Sequence, residues 1–190
     1  KDIRELYNDF ILEEVLEENS KNAPDGLYFR KDHVYVHNQH DRPIHEGLYP
    51  EERIIEMMEQ SLALLNNESY SFLIRIAIFH YLFAYIHPFY DGNGRMTRFI
   101  SSYLLSKKLN DLTSFRLSYT KNNISKYYKS FKTTNDPKNK GDLTPFVTDF
   151  FEILVSLVED LCISIEKRLE KFKHFTELAK KHIISKDIDY

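Results

Sequence analysis

The fifteen residues FLIRIAIFHYLFAYI, Phe72 to Ile86, constrain the fold more than any other stretch of this chain. They are apolar nearly all round, the pattern of a helix enclosed by other elements rather than one lying on a surface. The run carries Arg75 and His80 and is shorter than the roughly 20 apolar residues a bilayer demands, so it is not a membrane span. It must end near His87, because Pro88 drives the preceding residue out of the helical region. A helix buried on every side needs neighbours, and the rest of the chain supplies them. Ile3, Leu6, Phe10, Ile11, Val15 and Leu16 recur at helical spacing and predict an amphipathic helix over 3–18. Further helices are expected over 50–66, from 94 or 95 to 109 with Phe99, Ile100, Tyr103 and Leu104 facing inward, and over 122–132. From 144 to 183 the apolar pattern predicts one long helix or two in succession.

Only one stretch breaks this helical pattern. YFRKDHVYVHNQ alternates through Phe29, Val34 and Val36 and reads as one arm of a hairpin spanning 28–46. The expected class is therefore all-α with one small β-hairpin, in a single domain over 1–190. Few glycines (5) and prolines (6) beside 13 Tyr and 14 Phe favour helices over a turn-rich sandwich. The chain opens on Lys rather than Met, compatible with a piece of a longer protein.

A formal net charge of -3 offers no general attraction to nucleic acid or an anionic membrane, so any anion site must be local. Cys162, the sole cysteine, permits no internal disulfide and falls on the apolar stripe of the last helix, where a small buried hydrophobe is expected. That composition and the absence of a signal-peptide pattern at KDIRELYNDF suit the cytoplasm. His33, His37, His40 and His45 match no standard zinc spacing.

The chemistry concentrates in HPFYDGNGRMTR, residues 87–98. DGNG resembles the start of a calcium loop, but the fifth, sixth and twelfth positions hold Arg95, Met96 and Ser102 in place of an oxygen ligand, Gly and Glu. No Gly-Lys-Ser/Thr follows a strand, so it is not a P-loop either. A plain helix–helix turn would account for Gly-Asn-Gly but not for the His, the Asp and the two Arg around it. A phosphate cradle accounts for each. Gly92 and Gly94 admit backbone conformations closed to other residues, so that successive N–H groups can line an anion-binding nest. The nest opens onto a helix N-terminus, which also favours negative charge. Arg95 and Arg98, three apart in the first turn, are unfavourable beside a positive helix end unless an anion lies there. Asp91 is placed to hold Mg²⁺ against the phosphates. His87, on the lip, is placed to take a proton from an incoming hydroxyl, help typically worth about 10²–10⁴ in rate.

His87, Pro88, Phe89, Asp91, Gly92, Asn93, Gly94, Arg95 and Arg98 fill every fixed position of the HPFx[D/E]GNGRxxR signature, and the chain thereby resembles the Fic domains. The resemblance extends from Gly26 into the 140s or 150s, with FRKDHVYVHNQ similar to the family's flap strand. It implies a Fic-type helical bundle and transfer of AMP from ATP to a Ser, Thr or Tyr hydroxyl of a target protein, with pyrophosphate released. Carried over, His87 is the general base and Asp91 the Mg²⁺ ligand. Gly92, Asn93, Gly94 and Arg95 form the anion hole, Arg98 reaches the terminal phosphate, and Phe89 packs inward. Backbone near Val36 and His37 would align the target as an added strand. Tyr119, and secondarily Tyr127, would meet adenine. The intact GNGR speaks against phosphorylating Doc-like relatives. Removal of AMP, transfer of UMP or phosphocholine, and a non-catalytic nucleotide-binding adaptor remain alternatives.

Many Fic proteins carry an inhibitory [S/T]xxxE[G/N] motif. Here Glu46-Gly47 is preceded by Arg42 and Glu18-Asn19 by Glu14 at the Ser/Thr position, so neither qualifies. The expected partners are ATP, a target protein on the flap, and an inhibitory segment or antitoxin-type partner outside these residues. A homodimer is left open.

Overall fold

Helix α4 (Phe72–Ile86) is the axis of the computed structural model, which describes residues 3–37, 43–109 and 124–186. Its side chains bury in two directions. On one side Phe79, Phe83 and Ile86 pack with residues of α1 (Ile3–Phe10), α2 (Leu12–Glu18) and α3 (Glu51–Asn66), among them Tyr7, Val15, Ile54 and Met58. On the other, Ile76, Ala77 and Tyr81 meet Phe131 of α6 (Ile124–Thr134) and Phe146, Phe150 and Ile153 of α7 (Thr144–Lys186). Helix α5 (Asn93–Ser106) serves both, through Met96 and Ile100 on the first side and Leu105 on the second. Full burial of each large side chain stabilises the fold by about 1.5–3 kcal/mol before entropy is counted, and α4 collects that gain on two faces, leaving Ile74 exposed.

The expected enclosed helix is therefore the central one, and the all-α class with one hairpin holds. The helix expected over 3–18 is interrupted at Ile11, whose φ of -127 lies outside the helical region. Phe10 and Tyr103, expected to face inward, are exposed, Phe10 resting against Phe99 at the surface. The segment from 144 is one continuous helix of 43 residues. Leu157 is its last buried residue among those described, so Cys162 is exposed rather than core.

The hairpin is shorter than the alternation suggests. Strand β1 (Tyr35–His37) pairs antiparallel with β2 (Pro43–Glu46), matching Tyr35 to Glu46 and Val36 to His45, with a bulge before His37. Residues 27–29 form no strand because one carboxylate replaces the sheet ladder. Glu51, at the start of α3, accepts the backbone N–H groups of Leu27, Tyr28 and Phe29 at 3.0, 2.8 and 2.8 Å. The approach is so close that a Cβ on Gly26 would lie 2.3 Å from Glu51 Oε2.

One polar side chain crosses the core. His80 of α4 is 0% exposed, with Nδ1 2.8 Å from Ser101 Oγ of α5 and Nε2 2.8 Å from the Tyr127 hydroxyl of α6. Burial, with the Arg98 charge adding to it, pulls its pKa down to about 3. The unfolded chain binds this proton near pH 6.5 and the folded one does not, so stability is lost as pH falls below 6.5, at up to about 1.4 kcal/mol per pH unit. Urea unfolding of wild type and His80→Gln at pH 7 and pH 5 checks this. The wild type is expected to lose about 1.5–2 kcal/mol more than the variant over that interval, and equal losses would show that His80 does not stay neutral in the core.

Candidate active site

The site begins where α4 stops. His87 caps the helix in the left-handed conformation (φ 54, ψ 61), while its N–H still closes the last turn on Phe83 O at 3.0 Å. For a residue with a Cβ this conformation costs about 1–2 kcal/mol, so the surroundings must hold it. Arg30 does. Its Nε donates to His87 O at 2.9 Å, its backbone N–H to Pro88 O at 3.2 Å, and Nη2 to Leu48 O at 2.8 Å. Nη1 donates to Asp32 O. The Arg30 side chain is 0% exposed and directs its donors at backbone carbonyls. Gly47 makes room for this clamp, since a Cβ there would lie 2.4 Å from Arg30 Nη2 and 2.9 Å from His87 Cβ.

The His87 ring lines a cavity of about 660 Å³, within the range of small-molecule sites. Its Nδ1 lies 3.2 Å from Ala84 O. A carbonyl only accepts, so Nδ1 carries the proton and Nε2 keeps its lone pair. Burial lowers the His87 pKa to about 4; the bond to Ala84 and the Asp91 charge oppose it, and the Arg30 and His45 charges add to it. At neutral pH the ring is therefore a base ready to accept.

Past His87 the chain is anchored twice. Phe89 is 0% exposed, stacked on Tyr7 with ring centroids 3.7 Å apart and edge-on to Phe29 at 5.6 Å. Asn93 clasps the same residue's backbone, its Nδ2 donating to Phe89 O at 2.8 Å and its Oδ1 accepting from Phe89 N–H at 3.0 Å. The Asn93 side chain thus closes the loop, while its backbone N–H opens α5. Gly92 has φ 78, and a Cβ there would meet Ile11 Cγ2 at 2.4 Å, so only glycine lets the loop sit against the start of α2. No side chain caps α5, which leaves the first-turn N–H groups of Asn93, Gly94 and Arg95 without an intrahelical acceptor. Gly94 is exposed and lines the cavity.

The charged residues divide. Asp91 Oδ1 accepts the Gly92 N–H at 2.5 Å, and the Tyr7 hydroxyl donates to Asp91 O at 3.1 Å. Arg95 turns toward carboxylates, 2.8 Å from Glu14, 3.4 Å from Glu18 and 3.4 Å from Asp91. Arg98 lines the cavity, close enough to His80 and Tyr127 to act on both electrostatically.

Of the flap residues singled out from sequence, Val36 lines the cavity; His37 is exposed and pairs with Pro43. Tyr127 lines it too, its hydroxyl on His80. Tyr119 lies outside the described residues. Two participants escaped the sequence reading. Arg30 sits in FRKDH, where a lone charge looks solvated, and nothing local marks it as a clamp. His45 was counted with the histidines of the flap; its Nε2 lies 2.6 Å from Tyr85 O and its ring 4.7 Å from the Tyr85 ring, tying the flap to the end of α4. His33 is likewise engaged, 2.7 Å from Glu46.

Replacing Arg30 by Gln should leave the His87 and Leu48 carbonyls without their charged donor and lower stability by about 2–4 kcal/mol. Urea denaturation measures it, and a loss below about 1 kcal/mol would mean that the loop holds His87 without Arg30.

Comparison with known proteins agrees with this geometry. A family model described as Fic/DOC family matches residues 1–105. The protein adenylyltransferase Fic of Drosophila virilis is 34% identical over 131 residues, covering 65% of this chain and 23% of that protein. Its counterpart in Drosophila melanogaster is 33% identical over the same length. The chain therefore spans about a quarter of the length of these curated relatives. A crystal structure of a Fic family protein from Desulfovibrio desulfuricans G20 superposes with a TM-score of 0.59 at 27% identity, over 73% of this chain and 41% of that one. The family match takes in α1 to α5 and the loop after His87, and the chain belongs to the Fic/DOC family.

Proposed function

We propose that this domain transfers AMP from ATP to a hydroxyl side chain of a target protein, releasing pyrophosphate. The observation that carries the reading is one cavity wall holding a neutral His87 ring beside the bare N-terminus of α5 and Arg98. In this reading the triphosphate lies along the α5 N-terminus, where free N–H groups and the helix dipole favour anions. Arg98 offers a planar fork of donors to its far end. Nε2 of His87 takes the proton of the target hydroxyl, whose oxygen bonds to the α-phosphorus as the α–β bridge breaks and pyrophosphate departs. The flap supports target docking, because a two-stranded sheet presents backbone edges to which an extended segment can add. Val36 lies at the junction of flap and cavity. Tyr127 offers a ring to the base, its position fixed by His80. The similarity to proteins named protein adenylyltransferase Fic supports the same activity.

Asp91 is the residue that would hold Mg²⁺. It is a partly exposed carboxylate beside the α5 N-terminus, with one oxygen on the Gly92 N–H and the other only 3.4 Å from Arg95. Mg²⁺ is commonly held by one or two carboxylates together with phosphates and water, and this residue fits that role. When bound, the ion would neutralise phosphate charge. No described helix is long and apolar enough to cross a membrane. We place the domain in the cytoplasm, where the exposed thiol of Cys162 stays reduced.

The direct test supplies Mg²⁺ and ATP labelled at either the α- or the γ-phosphate, with lysate proteins as targets. Protein-bound label is expected from the α position only and should vanish in His87→Ala. Label from γ would mean phosphoryl transfer instead. A second measurement follows the His87 pKa. With the base form persisting down to about pH 4, kcat/KM should stay flat from pH 8 to about 5.5 and fall only below that. An acid limb centred near 6.5 would show that the acting base is not this buried imidazole.

A further inference from the structure

Beyond Leu157, helix α7 runs on with its apolar residues in solvent. Ile165 is 48% exposed, Leu169 49%, Phe172 67% and Phe175 70%. Ile165, Leu169 and Phe172 fall on a regular repeat, with Phe175 beside it. Val155, Cys162, Leu169 and Thr176 recur every seventh residue, and so do Val158, Ile165, Phe172 and Ala179, three places further on. This alternation of three and four defines a seam with a period of 3.5 residues, which drifts around a straight helix and stays on one face only when two helices supercoil. The seam from Val155 to Ala179 is about 36 Å long at 1.5 Å per residue. No chain of the fold described here covers it.

The charges beside the seam name the partner. On one flank Glu159, Glu166, Lys173 and Lys180 recur at the same period, all exposed. Two acids followed by two bases match their own reverse. Set side by side in parallel, two such helices would bring Arg168 against the partner's Lys173. Set antiparallel about a two-fold axis between residues 170 and 171, Glu166 faces the partner's Lys173 and Glu159 the partner's Lys180. The same register stacks Leu169 on the partner's Phe172, Ile165 on the partner's Thr176 and Cys162 on the partner's Ala179. On the other flank Arg168 meets the ring of the partner's Phe175, a cation–π arrangement.

We propose that the outer half of α7 is the seam of an antiparallel two-stranded coiled coil between two copies of this chain. The interface is isologous, each contact occurring twice, as a closed dimer requires. It sets the two helical cores at opposite ends of the coil.

Sedimentation equilibrium of the purified chain at high micromolar concentration is the test. The wild type should be a dimer. Ile165→Glu with Phe172→Glu, both at exposed positions and so harmless to the monomer's core, should weaken association at least about 100-fold. Circular dichroism and thermal unfolding would confirm that the variant still folds. Lys173→Glu alone should weaken the dimer by about tenfold, and adding Glu166→Lys should restore it. Orientation is read by oxidation with copper phenanthroline. Cys162 and its symmetry mate would lie about 26 Å apart in this register, so the wild type should not cross-link, whereas Ala179→Cys should give a covalent dimer. A monomeric wild type, a dimer that survives the double Glu variant, a dimer that Lys173→Glu strengthens, or cross-linking through Cys162 alone would each overturn the proposal.

Discussion

The hydrogen bond from the Arg30 guanidinium to the carbonyl of His87 is the contact on which the rest of the site depends. It stabilises a left-handed residue at the end of an otherwise regular helix, and that one residue decides where the chain goes next. With His87 turned, Pro88 can offer its carbonyl to the Arg30 backbone, Phe89 can enter the core against Tyr7, and Asn93 can fasten the loop shut. Each step presupposes the one before it. The arginine is stable in the interior because three carbonyl oxygens, from residues 32, 48 and 87, share its charge. Burial lowers its pKa, but a guanidinium keeps its proton under any working condition. A lysine would supply a point charge and could not reach carbonyls on three segments at once.

The two motif arginines illustrate how an ion pair differs from an open cation. Arg95 is partly buried among Glu14, Glu18 and Asp91, all of them substantially exposed. Such pairs are worth about 0–1 kcal/mol each in water, so they orient the side chain without committing it. They also fasten α2 to the first turn of α5, next to the point where Gly92 touches Ile11. Arg98 instead faces the cavity and, by its charge, helps keep His80 neutral. The positive potential of the pocket thus comes from Arg98, the end of a helix, and Lys129 and Lys132 of α6, which also line it, although the chain as a whole is acidic.

How much of this could be read from the sequence follows from the range of the interactions. The enclosed helix, its stop before Pro88 and the loop are written in residues close together, and they were legible; the inward Phe89 came only with the resemblance to the family. Arg30 reaches His87 across 57 positions and His45 reaches Tyr85 across 40, so no local pattern reports them. The alternation of Phe29 with Val34 and Val36 was a true pattern with a different cause. Phe29 turns inward because Glu51 holds the backbone there, not because a sheet does. Tyr127 was read as a ring for the nucleotide base, and its polar end proves to be held by a buried histidine on the central helix.

The last helix shows why periodicity alone does not say what a face is for. Reading Phe146, Phe150, Leu154, Leu157, Leu161, Ile165 and Leu169 as one stripe makes the whole of α7 core-facing, and makes Cys162 a buried hydrophobe. The stripe is in fact two, joined end to end. Up to Leu157 the apolar residues pack against α4 and α6, and all of Phe146, Phe150, Ile153 and Leu154 are buried. After it the seven-residue spacing carries on and the burial ends, although the apolar residues continue. A domain's own core tolerates loose spacing, because neighbouring helices approach from several directions. A second helix lying alongside does not, and it also demands matched charges on its flanks. A seven-residue repeat that persists where the domain's own core has ended, together with the acid-to-base order from Glu159 to Lys180, is therefore a stronger sign of an outside partner than exposure alone.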